Sequence, residues 1–261
     1  MKKLIIFADY GLDDAAATAH IFKNRERFES ITIVPIGGNV PTDVSYRNCI
    51  TLLNRLDAMD VTVVDTRNIL QPFENLTDIH GGDGMGDIFE AVYNECGLNI
   101  TEFYDWEKTL CGDEVILSLG PMTLVKPILE KHKNPELIIM GGCIDEKPNY
   151  KGYEFNHGLD PESFAFCVKY PHVAATLDTC SVKALNMHSY EITGDDVYSK
   201  TLNASKRLSA KRQEKGCYVY DDIAACYLFH PERFKTEKRT DPFGNQVTNG
   251  IYVSDIPQYI D

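Results

Sequence analysis

Leu4-Ile5-Ile6-Phe7-Ala8-Asp9-Tyr10-Gly11-Leu12-Asp13-Asp14 is the stretch on which the fold of this chain turns. The apolar run from Leu4 to Ala8 predicts a buried parallel strand, and Asp13 through Ala15-Ala16-Ala17 to Arg25 predicts a helix. Asp9, Asp13 and Asp14 would then lie at the carboxyl end of a first strand and in the opening turn of the next helix. In open α/β sheets that crevice is where ligands bind. A helix dipole favours carboxylates in the first turn, but it does not call for three acids packed around Gly11. Two carboxylates about 4 Å apart repel by roughly 4 kcal/mol at an effective dielectric near 20. Such a cluster needs a cation, a shared proton or separation by water, and the reading is a metal or polar-ligand site.

Working outward, short apolar runs alternate with helical patterns. Strands are expected at Ser30–Ile36, Val61–Val64, Glu114–Leu119, Glu136–Met140 and Val173–Leu177. Helices are expected at Asp43–Leu56, from the glycine-rich loop His80–Asp87 to Tyr93, from Pro121 to Lys131, and at Asp221–Phe229. The stretch Asp195–Lys215 reads as a long polar helix whose Lys and Arg residues from Lys206 to Lys215 form a solvated face. Two strands around Asp241-Pro242-Phe243-Gly244-Asn245 close the chain. This alternation predicts an α/β fold, a mostly parallel, doubly wound open sheet flanked by helices, with a small C-terminal β-hairpin. No repeat or break in composition divides residues 1–261, so one domain is expected.

Composition narrows the function. The formal net charge of -13 argues against a nucleic-acid partner, because phosphate backbones attract basic surfaces. No stretch approaches the roughly 18 apolar residues of a membrane span, and the N-terminal run is too short for a signal peptide. The eight cysteines include no C-x-x-C pair or zinc-finger spacing. Buried free thiols in a reduced cytoplasmic protein are therefore expected.

Beyond the first motif, further residues line up in order. They are Gly37-Gly38-Asn39, His80-Gly81-Gly82-Asp83-Gly84, Leu119-Gly120-Pro121-Met122-Thr123, Met140-Gly141-Gly142, Glu154-Phe155-Asn156 and Asp221-Asp222-Ile223-Ala224. The ordered set resembles the calcium-dependent nucleoside hydrolases of the inosine–uridine-preferring type, whose N-terminal motif is D-x-D-P-G-x-D-D-A. The resemblance implies an N-ribosyl hydrolase that cleaves a ribonucleoside to free base and ribose, in nucleoside salvage, by attack of a calcium-bound water at C1′. It assigns Asp9, Asp14, Asp221 and the Leu119 carbonyl to Ca2+, and Asp9 also to the role of general base. It assigns Asp13 to the 2′ hydroxyl and Asn39, Glu154 and Asn156 to the other ribose hydroxyls, with His157 as a neighbour of the pocket. A homodimer or homotetramer is implied as well.

Several positions depart from that pattern. Phe7 stands where the motif has its first aspartate, Tyr10 where it has proline, and Pro148 where an asparagine is expected. Many members carry a histidine just before the last calcium aspartate, a general acid for the leaving base; here that residue is Tyr220. A phenol with a pKa near 10 donates a hydrogen bond but is poorly matched to proton transfer near neutrality. Tyr220, His80 and His157 are the candidates at the leaving group, unless the base leaves unassisted, and Tyr218 and Tyr220 could stack on the base. The ribose end thus reads as preserved and the base end as altered, which points to an unusual or modified base. The competing reading is a non-catalytic, calcium-dependent ribose- or nucleoside-binding protein on the same scaffold. A magnesium phosphatase of the haloacid-dehalogenase type would need Asp-x-Asp where the chain has Asp9-Tyr10-Gly11.

Overall fold

Along the first strand, Leu4, Ile6 and Ala8 belong to one buried apolar cluster and Ile5 and Phe7 to another. A strand that is apolar at every position has both faces covered, as parallel sheets do. In the computed structural model, which describes residues 1–132 and 135–259, this strand is β1 (Lys2–Ala8), near the centre of a nine-stranded sheet. It is followed by α1 (Leu12–Lys23), β2 (Phe28–Pro35), α2 (Thr42–Arg55), β3 (Thr62–Asp65), α3 (Thr77–His80) and β4 (Asn99–Glu102). Next come α4 (Phe103–Trp106), β5 (Val115–Ser118), α5 (Val125–Lys131), β6 (Glu136–Met140), α6 (Phe155–Leu159) and α7 (Pro161–Cys167). The remaining elements are β7 (His172–Ala175), α8 (Leu177–Cys180), α9 (Val197–Lys211), α10 (Tyr220–Phe229), β8 (Phe234–Thr240) and β9 (Gln246–Tyr252).

The strand order is β4-β3-β2-β1-β5-β6-β7-β9-β8. Every pairing is parallel except that of β8 with β9. The C-terminal hairpin therefore extends the main sheet through β9. Helices α1, α2 and α10 cover one face with Ala17, Ile21, Ile50, Leu53 and Ile223. Helices α4, α5 and α7 cover the other with Trp106, Val125, Ile128 and Phe164. The order reverses between β1 and β5, so the crevice outside their carboxyl ends is the topological switch point. Asp9 directly follows β1, and Leu119 directly follows β5.

Three expectations are corrected. No helix runs from the glycine-rich loop to Tyr93. That segment lies extended along α2, whose side chains take its carbonyls: Thr51 Oγ1 donates to Val92, Arg55 Nη2 to Glu90 and Asn54 Nδ2 to Asn94. α5 begins at Val125 rather than Pro121, which puts Pro127 in its first turn, where a missing N–H leaves no bond unmade. The cysteines are all free, but Cys96 and Cys111 are exposed.

Phe7 is fully buried and meets Trp106 edge-on, with ring centroids 6.4 Å apart. An aspartate there would place an unpaired charge in an apolar layer. Phe7→Asp should therefore destabilise the fold by more than the about 3–5 kcal/mol that losing a buried phenylalanine costs, read as a lowered urea midpoint. A midpoint near wild type would contradict this packing.

Candidate active site

Tight local bonding fixes the first motif. Asp14 accepts from the backbone N–H groups of Asp9 (3.1 Å) and Gly11 (2.9 Å), which closes the turn into α1. Tyr10 holds φ 44° in that turn, a conformation that a proline, locked near -65°, cannot take. Its ring is buried in the core and does not line the cavity described below. Asn39, just past β2, clamps Asp9: its backbone N–H donates to Asp9 Oδ2 and its Nδ2 to Asp9 Oδ1, both at 2.8 Å. The same Nδ2 reaches Asp14 Oδ2 at 3.4 Å. Asn39, expected to hold ribose, lines the cavity described below and turns its amide N–H onto the carboxylates.

Gly38 explains the closeness of this clamp. A Cβ there would lie 1.8 Å from Asp9 Oδ2. At Gly11 a Cβ would meet Asn39 Nδ2 at 2.5 Å and His80 at 2.8 Å. The sequence marked Gly37-Gly38 only as part of a pattern, whereas the physical role of Gly38 is to let Asp9 lie against backbone.

Asp221, in the first turn of α10, completes the cluster. Asp13, Asp14 and Asp221 each offer an oxygen within 4.8 Å of the others. Asp9, Asp14 and Asp221 are buried, and among the described residues no lysine or arginine pairs with any of them. Burial pushes the Asp9 carboxyl up to about 7, with the Asp13 charge adding to the rise. Burial, then neighbouring carboxylates, likewise push Asp14 and Asp221 above the usual range. Asp13 Oδ1 is a buried acceptor without a hydrogen-bond partner, 3.6 Å from His80 Nδ1. An unpartnered acceptor beside three oxygen-bearing acids suits a hard divalent cation, which takes carboxylate and carbonyl oxygens.

The cluster opens into a cavity of about 390 Å3, lined among others by Asp13, Asn39, His80, Leu119, Glu154, Asn156, Tyr220 and Asp221. Asn156 Nδ2 donates to the carbonyls of Leu119 (2.9 Å) and Met140 (3.2 Å), which orients the Leu119 oxygen at the end of β5. Glu154 is buried and accepts from the backbone N–H groups of Gly142, Asn156 and His157. His157 is not in the lining. Its ring stacks on Phe164 at 4.0 Å, and burial lowers its pKa to about 4. It meets the site through its backbone N–H on Glu154, as a neighbour of the pocket rather than part of its wall.

Beside the cluster, His80 Nδ1 accepts from the Leu12 N–H at 3.0 Å, so Nε2 carries the ring proton of the neutral form. Burial lowers the His80 pKa and raises that of Tyr220. Tyr218 lies 6.3 Å from Tyr220, ring to ring. Arg212 and Glu214 also line the cavity. Arg212 grips Glu214 through Nε and Nη2, and its Nη1 donates to the carbonyl of Asp78, two residues before His80. The basic stretch read as a solvated face thus contributes to the cavity wall, because α9 ends above it; nothing in the local pattern marks this.

Comparison with known proteins agrees with this geometry. The family model described as inosine-uridine preferring nucleoside hydrolase matches residues 4–253. A protein of Arabidopsis thaliana named "Probable uridine nucleosidase 2" is 28% identical over 88% of this chain and 75% of its own. The solved purine-preferring ribonucleoside hydrolase of Gardnerella vaginalis superposes with a TM-score of 0.72 at 21% identity, covering 97% of this chain and 93% of that one. A plant nucleoside hydrolase gives 0.71 at 20%, covering 95% and 86%. The chain belongs to the inosine-uridine preferring nucleoside hydrolase family, whose members are metal-dependent enzymes that cleave N-ribosyl bonds.

Two outcomes follow from the cluster. Gly38→Ala must displace Asp9, and a shift of about 1 Å costs on the order of a hundredfold in kcat/KM; near-normal turnover would contradict the close approach. Protons compete with the cation for the carboxylates. With burial raising the Asp9 carboxyl to about 7 and raising Asp14 and Asp221 as well, divalent-cation affinity should rise with pH through about 7. Calorimetric titrations across pH 5.5–8.5 read this, and a flat profile would contradict it.

Proposed function

We propose that the chain hydrolyses a ribonucleoside to free base and ribose with calcium as its metal and Asp9 as general base. The observation that carries this reading is the buried cluster of Asp13, Asp14 and Asp221, with Asp9 tied to Asp14 through the Asn39 amide and with Asp13, Asn39 and Asp221 in the wall of one cavity. Asp9, Asp14, Asp221 and the Leu119 carbonyl would hold the ion. When bound, calcium supplies the positive charge that keeps these carboxylates ionised, orients ribose hydroxyls and makes water more acidic. Asp9, with both oxygens fixed by Asn39 and each keeping a further lone pair, takes the proton of the attacking water. Asp13 Oδ1, buried and without a partner, accepts from the 2′ hydroxyl. Glu154 accepts from a second ribose hydroxyl, and its three backbone donors hold it in place. Asn156, whose Nδ2 is committed to carbonyls, offers Oδ1. These contacts position C1′ for an oxocarbenium-like transition state.

The leaving base meets neutral donors. His80 presents Nε2–H, Tyr220 presents its hydroxyl, and burial moves both pKa values away from neutrality. Activation by hydrogen bonding, without full proton transfer, suits bases that leave readily or are already activated. Relatives' names cover a uridine nucleosidase and a purine-preferring enzyme, so the substrate panel should hold both classes together with modified bases.

Release of reducing sugar from such a panel, with calcium and with EGTA, tests the reading. Calcium-dependent turnover of at least one ribonucleoside is expected, and Asp9→Asn should lower kcat by about 10²–10⁴, the usual weight of a general base. Background release throughout would refute it. For Tyr220→Phe the expected loss is at most about tenfold, as for one neutral hydrogen bond; a thousandfold loss would instead make Tyr220 a true general acid.

A further inference from the structure

The metal cluster is built from the first turns of two helices, Asp13 and Asp14 on α1 and Asp221 on α10. Deeper between the same helices lies a second polar group that the reaction does not use. His20 Nδ1 of α1 is hydrogen-bonded to Asp222 Oδ1 of α10 at 2.7 Å. Tyr198 of α9 donates its hydroxyl to Asp222 Oδ2 at 2.6 Å. All three residues are no more than 4% exposed. The His20 ring is also packed against Tyr198 and Phe229, at 5.2 and 5.3 Å between centroids.

Removing a carboxylate from water costs several kcal/mol, and an apolar side chain of similar volume usually serves packing as well or better. What the acid adds is geometry. Asp221 and Asp222 are adjacent on α10 and point about 100° apart, one into the metal cluster and the other onto α1 and α9. Two directional hydrogen bonds on Asp222 thus fix how α10 is rotated and spaced against α1. They also hold Asp222 itself out of the cluster, which comprises Asp13, Asp14 and Asp221.

We propose that His20, Asp222 and Tyr198 are positioning residues that set the separation of Asp14 and Asp221, and through it the affinity for the metal. The proposal rests on the calcium site described above. Supporting groups of this kind typically alter metal affinity by about 10–100-fold when removed.

Calcium titration of the metal-free protein by calorimetry, with circular dichroism and thermal melts in EGTA as a check on folding, tests it. His20→Leu should weaken calcium binding about tenfold or more, and His20→Asn, whose amide N–H stands near the place of Nδ1, should recover most of that loss. Tyr198→Phe, which removes one hydroxyl and keeps the ring, should weaken binding by about threefold. A folded His20→Leu with wild-type affinity would overturn the proposal, and so would His20→Asn no better than leucine, which would mean packing alone. Should His20→Leu not fold, Tyr198→Phe decides, and unchanged affinity there overturns it. If the wild-type protein itself bound no calcium, the calcium site would fail and this proposal with it, an outcome distinct from unchanged affinity in the variants.

Discussion

Charge repulsion among buried carboxylates is the constraint on which the rest of this structure depends. Asp9, Asp14 and Asp221 are buried together without a lysine or arginine partner among the described residues, and Asp13 adds a fourth charge at the edge. An uncompensated buried carboxylate costs several kcal/mol, so in isolation the groups would take up protons. The protein holds them in place by backbone donors: Asp9 N–H and Gly11 N–H on Asp14, Asn39 N–H on Asp9. The parallel sheet supplies the rigid frame, since β1 and β5 deliver Asp9 and Leu119 side by side at the point where the strand order reverses. A cation resolves the repulsion and turns a destabilising cluster into a binding site.

The ribose end and the base end are built differently. At the proposed ribose end Glu154 is held by three backbone N–H donors, while Asp13 Oδ1 is buried without a partner. At the base end the contacts come from the loops after α9 and around His80, tied together by Arg212 across to Asp78. In the proposed function the ribose contacts come from helix starts beside the sheet and the base contacts from loops, where binding residues are commonly carried by a rigid scaffold.

Much of this was legible in the sequence because local rules sufficed. The all-apolar run Leu4–Ala8 could only be a strand covered on both faces, and the acids after it could only face the crevice. Other features needed the third dimension. Strand β4 carries the mostly exposed residues Asn99–Glu102 at the sheet edge, so no alternation of apolar side chains announced it. The absent helix before Tyr93 was decided by α2, whose Thr51, Asn54 and Arg55 bind its carbonyls. Asn39, assigned by resemblance, lines the cavity but turns its amide N–H onto the carboxylates, and His157, read from its neighbour Asn156, lies in an aromatic stack behind the lining. The pairing of His20 with Asp222 joins residues at opposite ends of the chain, and only a histidine amid alanines on α1 hinted at it.

Long-wavelength anomalous diffraction from crystals grown with calcium tests the central claim most directly. One ion is expected, held by Asp9, Asp14, Asp221 and the Leu119 carbonyl at about 2.3–2.6 Å, the usual calcium–oxygen distance. Carboxyls hydrogen-bonded to one another with no ion among them, or an ion bound only elsewhere, would contradict it.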